Sequence, residues 1–147
     1  KIKLETEAKK YIQEFVKTRK TSDIRAVVVG DKVVAAYQRK AAKGEVRANV
    51  HAGGTRMPHT ITQEQEKLAL NSARAIKARI CGVDILNTRR PSVIEVNLSP
   101  SVHSIKEVTG VNVPREIAKY LHQQTAQVYR AERKSAFKNV LDWILNK

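Results

Sequence analysis

The sequence contains few of the features that define several common classes of protein. Its one cysteine, Cys81, cannot form an internal disulfide, so we expect a reducing compartment such as the cytoplasm. No apolar run approaches the roughly 18 residues of a membrane span, so we expect a soluble protein that does not engage a membrane. Aromatic residues make up only 5% of the chain and form no stacking motif, which argues against a dedicated nucleic-acid binder.

Positive charge, by contrast, is abundant. There are 28 Lys and Arg against 14 Asp and Glu, which gives a formal net charge of +14 and favours anionic partners such as nucleotides, nucleic acid or acidic peptides. Charge alone does not choose among these partners. The length of 147 residues suits one compact domain. Because the chain starts at Lys1 rather than at a methionine, we expect it to be part of a larger protein.

The first half of the chain predicts mainly strands. The segment "DIRAVVVGDKVVAAYQRK" places two valine-rich runs on either side of Gly30 and Asp31, a pattern typical of a tight hairpin. Shorter strands are predicted over residues 10–16 and from Glu45 to Val50, the second followed by a loop.

A helix is predicted next, because Thr62 and Gln65 have the spacing of a capping box. Its apolar face is expected to run through Ala69, Ala73, Ile76 and Ile80.

The second half predicts two further strands, over 81–86 and 92–98, joined by "NTRRP". Residues 99–112 are predicted as loop, and one or two helices are predicted from Val113 onward. Together these elements indicate an α+β domain with a largely antiparallel sheet and helices packed on one face.

Three oxygen-bearing side chains stand out in the last two strands. Glu95 and Asn97 alternate with apolar residues and share one face, and the hairpin places Asp84 opposite residue 94 or 95, within reach of that face. Hard divalent cations such as Mg²⁺ prefer oxygen ligands of this kind. An ordinary half-exposed sheet with its polar residues in water gives the same alternation, and spacing alone favours that simpler explanation.

Other familiar chemical motifs are absent from the sequence. The histidines and Cys81 have neither the CxxC nor the HExxH spacing of a zinc site, and there is no GxxxxGK[ST] phosphate-binding loop.

Six segments, taken in order, carry a family resemblance. The segments "IQEFV", "SDIRAVVVGDKVVAAYQRKA", "GEVRANVHAGG", "CGVDIL", "VIEVNLSPS" and "IKEVTGVNV" resemble the C-terminal half of the RimK-like ATP-grasp ligases over about residues 11–122. These ligases include ribosomal-protein glutamate ligase and relatives in lysine biosynthesis. The resemblance implies an ATP-grasp C-terminal lobe over residues 1–122 and a helical extension over 123–147 packed on the same domain.

The resemblance also implies roles for particular residues. Asp84, Glu95 and Asn97 fall on the positions that hold Mg²⁺, or Mn²⁺ in its place, beside the nucleotide phosphates. Arg39 and Arg47 fall on positions implied to be catalytic, with Arg39 near the transition state or a substrate carboxylate. Residues implied to bind ATP are Glu14, Phe15, Asp23, Arg47, Ala48 and Asn49.

The implied reaction is an ATP-dependent joining of a carboxylate and an amine through an acyl phosphate. Implied substrates are glutamate or a similar amino acid together with an acidic peptide or a small-molecule carboxylate. The 147 residues do not include the N-terminal domain and central lobe of such ligases, so we expect the fragment alone to be inactive. The sequence also departs from the family in "NLSPS", where "NSSPG" is usual, which puts the substrate pocket in doubt.

Two further possibilities stay open from the sequence. One is a non-catalytic ATP-grasp relative that binds RNA or a ribonucleoprotein through its basic surface. The other concerns the C-terminal helix around Trp143, whose apolar residues suit packing on its own domain or a contact in a homo-oligomer.

Overall fold

The valine-rich runs around Gly30 form the hairpin at the centre of the sheet. In a computed structural model that describes residues 22–42, 54–100, 102 and 105–145, strand β1 is Ser22–Val29 and β2 is Lys32–Lys40. The side chains of 140, 141 and 143–145 are not among those described. Gly30 has φ +65°, which glycine adopts without steric cost, so the predicted turn is confirmed. The strands predicted over 10–16 and 45–50 lie outside the described residues.

Three more strands extend this hairpin on both sides. They are β3 (Thr55–Pro58), β4 (Ile80–Leu86) and β5 (Ser92–Asn97), and the antiparallel sheet has the order β3-β2-β1-β4-β5. The predictions for β4 and β5 are confirmed to within one residue at their ends. Between Asp84 and Ile85 the register with β5 shifts, because their partners are Glu95 and Val93, so Ile94 is the extra residue of a bulge.

Helix α1 (Gln63–Ala75) begins as predicted and ends earlier. The Thr62 hydroxyl accepts from the backbone N–H of Gln65, and the Gln65 side chain accepts in return from the N–H of Thr62, which completes the capping box. Lys77 has φ +57°, and the backbone N–H of Ala78 bonds to the carbonyl of Ala73, a Schellman closure of the helix. The predicted continuation to Ile80 is therefore wrong, and Ile80 starts β4.

Helices lie on both faces of the sheet, so the prediction that they pack on one face is wrong. Side chains alternate along β1: Ile24, Ala26 and Val28 join α1 in one core. Val27 joins a second core on the other face, with α2 (Ile105–Thr109) and the start of α3 (Val113–Leu145). The buried members of the second core are Val27, Ala35, Tyr37, Ile105 and Val113. Part of the segment predicted as loop, residues 99–112, therefore folds as α2, whose Ile105 is buried in this second core.

Helix α3 is one continuous element of 33 residues. The domain division placed after residue 122 falls inside this helix and stays a prediction. The side chains from Leu121 to Asn139 are exposed except for that of Ala126, which is half-buried, so this part of the extension contributes nothing to the buried core. Within the described residues, no helix combines the length and the apolar character that a membrane crossing requires.

Candidate functional site

Charged side chains occupy one end of the sheet face on which α2 and α3 pack. On β1, Asp23 and Arg25 continue the line of Val27 but carry charge. The strand register pairs Asp23 with Arg39 on β2, and it pairs Arg25 with Asp84 on β4. Charged residues from three neighbouring strands are thereby brought onto one surface.

Asp84 is the centre of this cluster. Arg25 donates to it twice, from Nε to Oδ1 and from Nη2 to Oδ2, both at 2.6 Å. Arg39 donates a third hydrogen bond from Nη2 to Oδ2, also at 2.6 Å. The Asp84 side chain is only 4% exposed, and two-point pairing of guanidinium with carboxylate is a strong, directional interaction. The carboxylate is thus fixed in place by two arginines.

Asp23 provides the second carboxylate for Arg39. Arg39 donates from Nε to Oδ1 at 2.6 Å and from Nη2 to Oδ2 at 2.8 Å. Burial raises the pKa of Asp23 above its ordinary value, although the hydrogen bonds from Arg39 act in the opposite direction. Burial alone would lower the pKa of Arg39, but its hydrogen bond to Asp23 and its attraction to Asp84 raise that pKa overall. Arg39 is therefore permanently charged.

Glu95 lies directly across from Asp84, which decides between the two partners, residues 94 and 95, that the sequence left open. The two residues are register partners on β4 and β5, and Oε1 of Glu95 is 3.8 Å from Nη2 of Arg25. The Glu95 side chain is 59% exposed, so it can turn toward a ligand from solvent. One guanidinium, that of Arg25, therefore interacts with both carboxylates.

Asn97 lies two residues beyond Glu95 on β5. Its register partner is Gly82, two residues from Asp84 on β4, so it is on the same face of the sheet. Its Oδ1 accepts a hydrogen bond from the backbone N–H of Ser99 at 2.9 Å. The structure thus pairs Asp84 with Glu95 and places Asn97 two residue pairs further along the same face, while the metal-binding role of all three stays a prediction.

The donor set suits a hard divalent cation. Two carboxylates and an amide oxygen are ligand types that Mg²⁺ accepts, and Mg²⁺ commonly takes one or two carboxylates and completes its shell with water and phosphate. Both carboxylates already interact with a positive group, the guanidinium of Arg25. Among the described residues there is no group of three or more His, Cys, Asp or Glu that could hold a metal, so any such site depends on Asn97 and on ligands from outside this set.

Several residues implied for the nucleotide lie beyond the described part of the chain, namely Glu14, Phe15, Arg47, Ala48 and Asn49. Asp23 is described, but its side chain is 12% exposed and its two oxygens accept from Arg39. In this structure Asp23 pairs with Arg39, and its contact with the nucleotide stays a prediction. Arg39 is the one predicted catalytic residue among those that the structure describes.

Two arginines of this surface were not among the predicted site residues. The position of Arg25 could have been inferred, because it is two residues after Asp23 on a strand whose other face is apolar, so the two share the charged face. Arg56 could not, because its strand β3 has only four residues and falls in a segment predicted as loop.

Solved structures establish the type of fold. The chain is similar to the structure of the ATP-grasp ligase PsnB complexed with a phosphomimetic variant of its minimal precursor, Mg and ADP, with a TM-score of 0.57. The sequence identity is 21%, and the similarity covers 71% of this chain and 32% of that one. An identity this low supports the fold alone, which is that of an ATP-grasp ligase.

Sequence comparison defines the family more closely. Residues 2–121 match the RimK-like ATP-grasp domain, and the chain belongs to that family. It is 40% identical over 124 residues to a probable alpha-L-glutamate ligase of Chromohalobacter salexigens, covering 84% of this chain and 41% of the relative. It is 41% identical over 113 residues to the ribosomal protein bS6--L-glutamate ligase of Escherichia fergusonii, covering 76% and 38%.

The chain therefore spans about two fifths of the length of these curated relatives. The expectation of a RimK-like, largely antiparallel α+β lobe is confirmed. The alternative of a non-catalytic scaffold that binds RNA finds no support in these comparisons, because the relatives are named as ligases.

Proposed function

We propose that this chain is the ATP- and magnesium-binding C-terminal portion of a ligase that joins glutamate to a carboxylate-bearing acceptor. The observation that carries the proposal is the register pairing of Asp84 with Glu95 on one sheet face, beside two permanently charged arginines. Membership of the RimK-like family and the glutamate ligases among the relatives support the same reaction class.

The proposed reaction has two steps. A carboxylate oxygen attacks the γ-phosphorus of ATP, so that an acyl phosphate forms and ADP leaves. The nitrogen of an amine then attacks the acyl carbon, which forms an amide, releases inorganic phosphate and gives up a proton. Mg²⁺, when bound, would neutralise charge on the phosphates, and Asp84, Glu95 and Asn97 are the residues that would hold it.

The described residues contribute mainly electrostatics and positioning. Arg39 carries a fixed positive charge beside Asp84, so it can stabilise negative charge that develops on a transferring phosphoryl group. Asp23 and Asp84 hold its guanidinium from two sides, so little reorganisation is needed during the reaction. Arg47 is proposed to assist at the phosphates, with Ala48, Asn49, Glu14 and Phe15 forming the remainder of the nucleotide contacts.

The substrate assignment comes from relatives. The Escherichia fergusonii protein is named for L-glutamate and ribosomal protein bS6, and the PsnB structure contains a precursor. By analogy we infer an amino acid such as glutamate and an acidic peptide or small carboxylate as substrates here. The portions of the relatives that this chain does not cover would supply the rest of the ATP site, and Mn²⁺ would substitute for Mg²⁺.

Nucleotide titration of the 147-residue chain tests the proposal. Mg-ATP is titrated to millimolar concentration by NMR into the wild-type chain and into Asp84→Asn, Glu95→Gln and Asp31→Asn variants. Glu95 is exposed, so its substitution should leave the fold intact, and Asp31 is an exposed carboxylate at the far end of the hairpin that serves as the matched control. Mn-ATP then reports proximity, because it broadens the amide signals nearest to the metal.

We expect Mg-ATP affinity to fall at least about tenfold in Asp84→Asn and Glu95→Gln, because each substitution removes a charge-assisted interaction. The affinity should be unchanged in Asp31→Asn. Mn-ATP should broaden the amides of residues 84 and 95 first. Absence of saturable binding by the folded wild-type chain, or equal affinity in all four proteins, would overturn the proposed site.

A further inference from the structure

Arg56 on β3 carries a buried donor with no acceptor. Its Nε is inaccessible to solvent and has no hydrogen-bond partner among the described residues, although the residue as a whole is only half-buried. Buried polar groups are normally hydrogen-bonded, so an orphaned guanidinium donor calls for an explanation. The described part of the chain contains no other buried side-chain nitrogen or oxygen in this condition.

The position of Arg56 is fixed by the sheet. It is the register partner of Arg39, so the two arginines lie side by side on the charged face. The Arg56 guanidinium carbon is 6.0 Å from the ring centroid of Tyr37, and Tyr37 is itself buried in the core below α2. Tyr37 therefore provides a rigid platform that orients Arg56 without neutralising its charge.

The charges on this face are not balanced at the β3 edge. Arg25 is paired with Asp84, and Arg39 is paired with both Asp23 and Asp84. The ion pairs of the described residues include none to Arg56, and like charges directly opposite each other on neighbouring strands repel. A negatively charged group from outside the described residues would satisfy Nε and relieve this repulsion.

We propose that Arg56 binds a carboxylate of the acidic substrate and so determines specificity for it. The inference rests on the proposed ligase function, because it places the substrate on the same face as the nucleotide. Guanidinium pairs with carboxylate through two parallel hydrogen bonds, which gives selectivity over a neutral amide of the same shape.

A nucleotide phosphate is the less suitable occupant. Strands are about 4.8 Å apart, so three spacings, or at least about 14 Å, separate the backbone of Arg56 on β3 from that of Asp84 on β4. The metal-bound phosphates would lie near Asp84 and Glu95. Glutamate supplies the amine in the proposed reaction, so it can place that amine at the reacting centre and direct a carboxylate away from it, toward β3.

NMR of arginine Nε–H groups in the 147-residue chain tests the assignment directly. The probes are L-glutamate, glutaramide as its neutral analogue, inorganic phosphate and Mg-ATP. All except Mg-ATP, which would compete with Mg-ADP for the nucleotide site, are tested with and without Mg-ADP. The variants are Arg56→Gln, Arg56→Lys and Arg89→Gln, the last removing the same charge from an exposed loop. Thermal unfolding of each variant is measured in parallel.

We expect L-glutamate to shift the Arg56 Nε–H signal saturably and to bind at least tenfold more weakly to Arg56→Gln, with Arg56→Lys intermediate and Arg89→Gln unchanged. Mg-ATP affinity should be the same in Arg56→Gln as in wild type, and the melting temperature should not fall. Equal L-glutamate binding by wild type and Arg56→Gln, or a stronger response to phosphate or Mg-ATP than to L-glutamate, overturns the proposal. A loss of Mg-ATP binding limited to the Asp84 and Glu95 variants leaves the nucleotide assignment intact whichever result Arg56 gives.

Discussion

The side chain of Arg25 passes directly over Gly82, a strand position that has no side chain of its own. A Cβ atom built on Gly82 would lie 3.6 Å from Cδ and Nε of Arg25 and 3.2 Å from Cβ of Pro100. The glycine thus leaves room both for the arginine that holds Asp84 and for the loop that follows Asn97.

A larger side chain at Gly82 should disturb both neighbours. Gly82→Val adds two methyl groups beyond the Cβ, so we expect it to destabilise the chain by about 1–3 kcal/mol through overpacking. Gly82→Ala is the matched control and should change stability by less than about 1 kcal/mol, because its added atom makes only one tight contact. Urea unfolding gives both values. Equal effects of the two substitutions would contradict this packing.

The turn at Gly30 should be coupled to helix α3. Gly30 has φ +65°, and a Cβ there would lie 2.8 Å from Cδ2 and Cε2 of Tyr120. Gly30→Ala therefore incurs about 1–2 kcal/mol of backbone strain in addition to a steric clash. In a Tyr120→Ala background only the strain remains, so a double-mutant cycle should give a coupling free energy of about 1 kcal/mol or more. Strict additivity of the two substitutions would contradict this contact.

Local patterns predicted the elements whose signals are local. The Gly30 turn, the capping box at Thr62 and the two strands around "NTRRP" all depend on nearby residues, and all are present. The placement of helices on both faces was missed, because it depends on how Val27 and Tyr37 line up with Ile105, about 70 residues away in the chain. Such contacts leave no short-range pattern.

The candidate site shows the same division. Alternation along β5 was enough to place Glu95 and Asn97 on one face, with Asp84 opposite residue 94 or 95, and the strand register of the structure selects Glu95. The arginines that hold Asp84 come from β1 and β2, and only the strand order β2-β1-β4 brings them to it. The position of Arg56 on this face depends in addition on β3, a four-residue strand that no sequence pattern predicted.

Removal of the helix cap should have a modest, local effect. The Thr62 hydroxyl accepts from the Gln65 N–H at 3.3 Å, and Thr62→Ala leaves that donor without its partner. We expect a loss of about 1 kcal/mol in the free energy of unfolding, measured by urea denaturation. Thr60→Ala, at an exposed position two residues earlier, serves as the control and should be neutral. An equal loss in both variants would show that the cap contributes nothing.

Cys81 should resist alkylation in the folded chain. Its side chain is fully buried in the core below α1, and burial raises the pKa of the thiol, so the reactive thiolate is scarce at pH 8. We expect no mass increase after brief iodoacetamide treatment at that pH and complete single alkylation in denaturant. Rapid native labelling at the same rate in wild type and in the destabilised Gly82→Val would show that Cys81 is accessible without unfolding.

Arg25 should compete with a divalent cation for Asp84. Its guanidinium donates two of the three hydrogen bonds that Asp84 accepts and lies 3.8 Å from Glu95. Arg25→Gln should therefore tighten nucleotide-free Mn²⁺ binding by about tenfold, since a hydrogen bond between charged groups contributes roughly 1.5–3 kcal/mol. Paramagnetic broadening of the residue 84 and 95 amides measures this, and Arg79→Gln, an exposed arginine paired with Asp31, is the control. Unchanged or weaker Mn²⁺ binding in Arg25→Gln would show that the two carboxylates do not form a cation site.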